Sequence, residues 1–325
     1  MRTVTALSPT SIKLFYENKD EFYVKYLADN RPPRIPQTRP MSVGSAFDAF
    51  VKSYLVERLV GKASMEPQYE LQTLFETQVE PQNRDWAYSA GQYCFDCYKK
   101  YGSLHDLMVE LEQAAETPRF ELSIEGRISH TNNVGIPLTG KPDVFFRTKD
   151  KAPVVLDWKV NGYCSQASPA KGYIMLRGET GRGLNAPHKD ATIMQIMGLP
   201  VNVAMNLEQV KEDWAQQLAI YSWVLGVPVG EQCITGIDQL ACDSKVGIWP
   251  SIRVARHRNR ISPEFQINVF NKACIVWDTC QSDHFFQELS LEESKAKCSM
   301  LDQRYLAFGA SDDPKEAWFQ SITRG

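Results

Sequence analysis

Asp143, Asp157 and Lys159 are the residues of this 325-residue chain whose spacing points most directly to chemistry. Pro142-Asp143 is followed by thirteen residues and then by Asp157-Trp158-Lys159. Asp143 stands just before Val144-Phe145-Phe146, and Asp157 closes the apolar run Val154-Val155-Leu156. On a strand, positions 157 and 159 share a face, because side chains alternate with a period of two. Two carboxylates and an ammonium gathered at a strand end are costly unless a cation or an anionic ligand compensates them. Carboxylate oxygens are hard ligands suited to Mg²⁺ or Mn²⁺. A neighbouring lysine can orient or deprotonate water there and stabilise developing charge. That is the chemistry of phosphodiester hydrolysis.

The elements that must carry these residues follow from pattern. Ser8-Pro9-Thr10-Ser11 reads as a helix start, followed by an irregular apolar stripe through Leu27. The four prolines of 31–40 break regular structure, and Arg31, Arg34 and Arg39 make that loop basic. A second helix starts at Ser42, and others are predicted at about 84–100 and 104–116. From Pro118 the texture alternates: RFELSIEGRIS, VGIPLTGKPDVFFRT and APVVLDWKV read as three strands in an antiparallel meander. A helix is predicted over 207–226, ending on Gly226 before Val227-Pro228. Strands over 231–241 and 246–256 and helices near 262–280 and 291–309 complete the chain.

In order along the chain, these features resemble the PD-(D/E)xK nuclease superfamily, and within it the RecB-like/Cas4-like and phage exonuclease branch. That family has a helix with G-x-x-x-H or an acidic metal ligand, then the PD strand, the D-x-K strand and a Q-x-x-x-Y helix. Here Gly44-Ser45-Ala46-Phe47-Asp48 takes the first slot, with Asp48 where many members carry histidine, and Gln217-Leu218-Ala219-Ile220-Tyr221 takes the last. The resemblance spans about residues 8–226. It implies an α/β (α+β) fold: a restriction-endonuclease-like core with a mixed central sheet flanked by helices, and helical N- and C-terminal additions. It also implies one nuclease domain over 1–325, with a helical part at 1–117, a catalytic core at 118–226 and a sheet/helix extension at 227–325. Asp48, Asp143 and Asp157 would hold the metal, Lys159 would serve the water, and Gln217 and Tyr221 would support lysine or substrate. Glu121 and Glu125, on one face of the first strand, are possible further ligands, though an exposed strand face explains them as well. Iron–sulfur members of the branch carry four cysteines. Here Cys274 and Cys280 keep part of the spacing, Asn271 replaces the preceding cysteine, and no cysteine precedes Cys94. No iron–sulfur cluster is expected.

DNA needs cationic surface. Residues 245–260 carry Arg253, Arg256, Arg258 and Arg260 without an acid. In strand alternation Arg256, Arg258 and Arg260 share a face, either a phosphate-contacting strip or a charged edge strand. Arg177 and Arg182, in the Gly-rich loop, and the 31–39 loop are further candidates. The glycines at 178, 181 and 183 make no nucleotide fingerprint, and no Walker Gly-Lys-Ser/Thr, G-x-S-x-G or H-E-x-x-H occurs.

Composition agrees with an ordinary globular protein. Hydrophobic residues make up 43%, charged residues 23%, and net charge is −3, so no global basic field exists and polyanion contacts must be local. The eight cysteines are expected as reduced thiols, with Cys94 and Cys97 as buried small hydrophobes. The opening residues lack the apolar core of a signal peptide. The expectation is a soluble, cytoplasmic protein of a bacterial cell or phage-infected host. It would be a Mg²⁺/Mn²⁺-dependent exonuclease of recombination, repair or replication, acting on double-stranded ends or single strands, with a single-strand annealing or recombination protein as possible partner. The rivals are an endonuclease of the same superfamily and a catalytically silent DNA-binding module.

Overall fold

The computed structural model describes residues 1–32, 35–120, 123–129, 135–164, 206–246 and 249–308. At the N-terminus, α1 (Pro9–Glu17) starts on a reciprocal cap: the Ser8 hydroxyl accepts from the Ser11 amide at 3.1 Å, and the Ser11 hydroxyl accepts from the Ser8 amide at 2.8 Å. α2 (Lys19–Phe22) runs into a π-turn, Tyr23–Leu27. The long α3 (Arg39–Val60) begins on Arg39-Pro40, three residues before the predicted start, because proline fits the first turn of a helix. α4 (Leu71–Gln78), α5 (Arg84–Lys100) and α6 (Ser103–Glu112) complete the helical part. α3 and α5 cross closely: a Cβ on Gly91 would lie 2.5 Å from Cβ of Ala46.

The predicted meander is present but broken. β1 (Arg119–Phe120) pairs with β4 (Val144–Arg147), and β2 (Ile124–Ile128) pairs with β3 (Ile136–Gly140). Both pairs keep one continuous antiparallel register, split where Lys141-Pro142-Asp143 leaves the ladder. Proline has no N–H to give a ladder, so the interruption falls where the sequence places Pro142. β5 (Pro153–Asn161) adds antiparallel to β4. β6 (Ile234–Val246) then pairs parallel to β5, and β7 (Trp249–Arg260) pairs antiparallel to β6. The result is a mixed five-stranded sheet, β1-β4-β5-β6-β7, with helices on both faces. This is the α+β class that the sequence suggests. The strands expected in a C-terminal extension are integral to that sheet.

The remaining helices are α7 (Leu207–Val210), α8 (Glu212–Val224), α9 (Pro263–Gln281) and α10 (Leu291–Phe308). α8 gives way to Gly226 at φ 91°, a left-handed position that favours glycine. Two cores sandwich the sheet. One gathers Phe145, Val155 and Ile237 with α1, α8 and α9; the other gathers Leu156, Trp158 and Leu240 with α3, α5 and α6. Cys94 is buried in the second core and Cys97 is half-buried; both are free thiols. No helix among the described residues is long and apolar enough to cross a membrane.

Candidate active site

Asp143 sits one residue before β4, at the break in the ladder. The β4–β5 register runs Val144 opposite Leu156, so the next step outward sets Asp143 beside Asp157. The Trp158 amide donates to Asp143 Oδ2 at 2.9 Å and fixes that carboxylate against the end of β5. Asp157 and Lys159 project from the same face of β5, as period-two alternation requires. Lys159 Nζ lies 2.5 Å from Asp157 Oδ2.

α8 covers this face and brings Gln217 and Tyr221, one turn apart, onto it. Lys159 Nζ donates to Gln217 Oε1 at 2.9 Å. The Gln217 amide nitrogen donates to Asp157 Oδ1 at 3.2 Å and lies 3.0 Å from the Tyr221 hydroxyl. Gln217 therefore clamps the acid and the lysine to each other. Tyr221 reaches this place because residue 140 is glycine: a Cβ there would fall 2.6 Å from its ring. The glycine of the Gly140-Lys141-Pro142-Asp143 run is thus a packing requirement of the tyrosine.

Burial is what strains the charges. Asp157 is only 4% exposed, and its carboxyl is pushed up to about 6, first by burial and then by the Asp143 charge against the pull of Lys159. Burial alone would lower Lys159, but Asp157 and Asp143 outweigh it and hold the lysine above its usual value, as an ammonium. A divalent cation fits this donor set. Asp143 and Asp157 present hard oxygens side by side, and a cation there would offset the burial and repulsion that keep Asp157 high. Mg²⁺ in particular is often held by one or two carboxylates, with water and phosphate completing its shell.

Asp48 comes from α3, with its Oδ2 at 2.7 Å from Lys52 Nζ, and the same ammonium lies 3.4 Å from Asp143 Oδ1. Among the described residues, no three His, Cys, Asp or Glu side chains gather as a metal-holding group. Lys52 is the site residue that sequence reasoning missed. Its signal was the i,i+4 spacing from Asp48, which puts both on one helix face. Glu125 is exposed on β2, and Glu121 lies outside the described residues.

These groups form the floor of an open cleft of about 1150 Å³, whose far wall includes Gln68, Thr73, Thr77 and Gln78. A Cβ on Gly44 would meet nothing within 4 Å, so the glycine of the Gly44–Asp48 run borders the open cleft, and no neighbour requires the missing side chain.

The arginine strip is corrected by the structure. Arg256 and Arg258 do share a face, but that face is turned away from Asp157 and lies beneath α6. Arg256 is 0% exposed and Arg258 5%. Arg258 Nη1 is 2.6 Å and Arg256 Nε 3.3 Å from Asp238 Oδ1, and Arg256 Nη2 is 2.7 Å from Glu110 Oε1. Burial alone would raise Asp238, yet Arg258 and Arg256 hold it below the usual carboxylate range. The Tyr98 hydroxyl closes the network on Asp238. These guanidiniums neutralise buried acids and are not a phosphate-contacting surface. Arg260 is exposed and donates to Gln232 at 2.7 Å; it pairs across from Ile234, at the end of β6 remote from Lys159. Arg253 is buried but lies opposite Ala241, which is level with Asn161, at the catalytic end of the sheet. Arg177 and Arg182 lie outside the described residues.

Comparison with known proteins bears on this geometry. No curated protein matches the chain. The crystal structure of SSO0001 is similar over 81% of this chain and 84% of its own, at 9% identity and a TM-score of 0.27, which is too loose to bear on the fold. The family model of the PD-(D/E)XK nuclease superfamily matches residues 6–172, a span that holds Asp48, Asp143, Asp157 and Lys159. With that match over just more than half its length, the chain belongs to the PD-(D/E)XK nuclease superfamily.

Proposed function

We propose that this nuclease is a Mg²⁺- or Mn²⁺-dependent deoxyribonuclease that works from DNA ends, of phage or bacterial recombination and repair type. The observation that carries the catalytic part is the floor of the cleft. There Asp143 and Asp157 lie side by side, the Lys159 ammonium touches Asp157, and Gln217 holds the acid and lysine together. Membership of the superfamily and the order of the motifs support DNA as substrate.

Asp143 and Asp157 would hold the divalent ion, which when bound supplies positive charge to the scissile phosphate and acidity to water. Lys159 contributes an ammonium aimed into the cleft. It orients the attacking water and stabilises the charge that grows on the phosphoryl oxygens. Because Asp157 keeps it protonated, its part is electrostatic and donating, not that of a general base. Gln217 holds Lys159 and Asp157 at a fixed separation, and Tyr221 holds Gln217. The attacking water forms the new P–O bond and yields its proton to solvent water, the bridging P–O bond breaks, and the leaving oxygen takes up a proton from solvent.

The test is cleavage of end-labelled linear DNA and covalently closed circular DNA in Mg²⁺ or Mn²⁺. Degradation of the linear form alone is expected. Cutting of the circle would make the chain an endonuclease, and no metal-dependent product from either would make it a silent DNA-binding module.

A further inference from the structure

Lys52 is the most deeply buried charge of the cleft. Its side chain is 2% exposed, against 15% for Asp48, 21% for Asp143 and 23% for Lys159. An ammonium is expensive to bury, and replacing a buried ion pair by apolar groups is often neutral or stabilising. Stability is therefore a weak reason for placing one there. Its position is specific: one helical turn after Asp48, with Nζ against both Asp48 Oδ2 and Asp143 Oδ1, and the Trp158 ring 6.0 Å behind it.

We propose that Lys52 is a resident cation of the active site, its ammonium standing between Asp48 and Asp143 where a second divalent ion would otherwise sit. The inference rests on the metal-dependent nuclease reading above. In it the chain takes one metal ion, on Asp143 and Asp157, and Asp48 is a positioning residue that holds Lys52.

Charge counting supports a single ion. Among the described residues that line the cleft, the carboxylates of Asp48, Asp143 and Asp157 are matched by the ammoniums of Lys52, Lys141 and Lys159. One divalent ion and one phosphodiester then leave the site at +1. Two divalent ions with the same phosphodiester would leave +3, an uncompensated charge that partial burial penalises. Each Asp143 oxygen already has one partner, Oδ1 the Lys52 ammonium and Oδ2 the Trp158 amide, which leaves each a further lone pair for a single ion.

The test is Mn²⁺ binding to the full chain without DNA, followed by calorimetry. Wild type should bind one Mn²⁺ per chain, and Asp157→Asn should lose it. Lys52→Met keeps the length of the side chain and removes its charge; it should bind two Mn²⁺, or bind the first about tenfold more tightly or better. The double variant Asp48→Asn/Lys52→Met, which removes the pair as a unit, should return to one. Asp48→Asn alone should keep the stoichiometry at one Mn²⁺ and weaken it by no more than about tenfold, the through-space loss of one charge. A folded Lys52→Met protein that still binds one Mn²⁺ with wild-type affinity would overturn the proposal. So would a loss of about a hundredfold or more in Asp48→Asn, which would make Asp48 a direct ligand. The second of these, with the double variant, decides the matter even if Lys52→Met does not fold. Wild type that binds no Mn²⁺ at all would defeat the metal-dependent reading itself, an outcome distinct from the other two.

Discussion

Lys159→Ala should disable the enzyme in two separable ways. An ammonium 2.5 Å from a carboxylate attracts it by about 7 kcal/mol at an effective dielectric of about 20. Desolvation of the two groups cancels most of this, since Asp157 still sits up at about 6. Without Lys159, burial and Asp143 act on Asp157 against the weaker pull of Lys52 alone, and its carboxyl should rise above about 6. A larger share of molecules would then hold Asp157 protonated at pH 7, and a proton must leave before a cation can bind. Apparent metal affinity at pH 7 should fall, about tenfold for each pH unit by which the carboxyl climbs past 7, and recover towards pH 9. The electrostatic contribution of the ammonium to the reaction would not recover, which leaves a loss of about 10²–10⁴ in single-turnover rate. The assay is single-turnover cleavage of end-labelled DNA at saturating Mn²⁺, paired with Mn²⁺ calorimetry from pH 6 to 9.5. A folded variant with wild-type turnover would remove Lys159 from the mechanism. A Mn²⁺ affinity whose pH midpoint matches wild type would refute the coupling to Asp157.

Other expectations can be checked with simpler measurements. Asp238→Asn strips the buried guanidiniums of Arg256 and Arg258 of their shared acid and should cost about 3–5 kcal/mol in urea unfolding, whereas Arg260→Ala should stay within about 0.5 kcal/mol. Equal effects of the two would contradict the buried network. Gly140→Ala drives a Cβ into the Tyr221 ring and should destabilise by about 1–3 kcal/mol while lowering cleavage, an outcome that a parallel Gly44→Ala should not share in stability. For the metal-free protein, the raised Asp157 carboxyl contributes stability that is fully present below about pH 4 and is lost as pH rises through about 6. Unfolding free energy should therefore carry a downward contribution across that window, absent in Asp157→Asn. An identical pH profile for the two proteins would show that Asp157 titrates normally.

Much of the site was legible because its chemistry follows strand and helix periods. Asp157 and Lys159 share a face by alternation, Gln217 and Tyr221 by one helical turn, and Pro142 marks where the ladder breaks. Two features were not legible for a common reason: burial is decided by what packs on a face, which local pattern does not reveal. Residues 245–260 look like a basic surface because no acid lies among them. Their counter-charges come from Asp238 on the next strand and from Asp106 and Glu110, an i,i+4 pair on α6. Alternation correctly grouped Arg256 with Arg258, but the grouping is silent on which side of the sheet faces the site. Gly236 was the clue for Arg258: it lies opposite, and a Cβ there would approach the guanidinium to 3.1 Å. Lys52 was hidden differently. In SAFDAFVKSYL it reads as one more solvated helix charge, and only the convergence of α3 with the end of β5 makes it a site residue.

The parallel pairing of β5 with β6 has a consequence for how the molecule is made. Every acid and lysine of the site has been synthesised by residue 159, and Gln217 and Tyr221 follow within α8, yet β5 gains its second neighbour only when residues 234–246 have been added. Until then β5, the strand that carries Asp157 and Lys159, is an open sheet edge on a nascent chain, and such edges invite pairing with other chains. Closing it is a long-range event, the slow kind in folding. A ribosome-bound chain stalled after α8 should thus hold all the chemistry and little of the enzyme, with nuclease activity arriving late in translation as β6 docks.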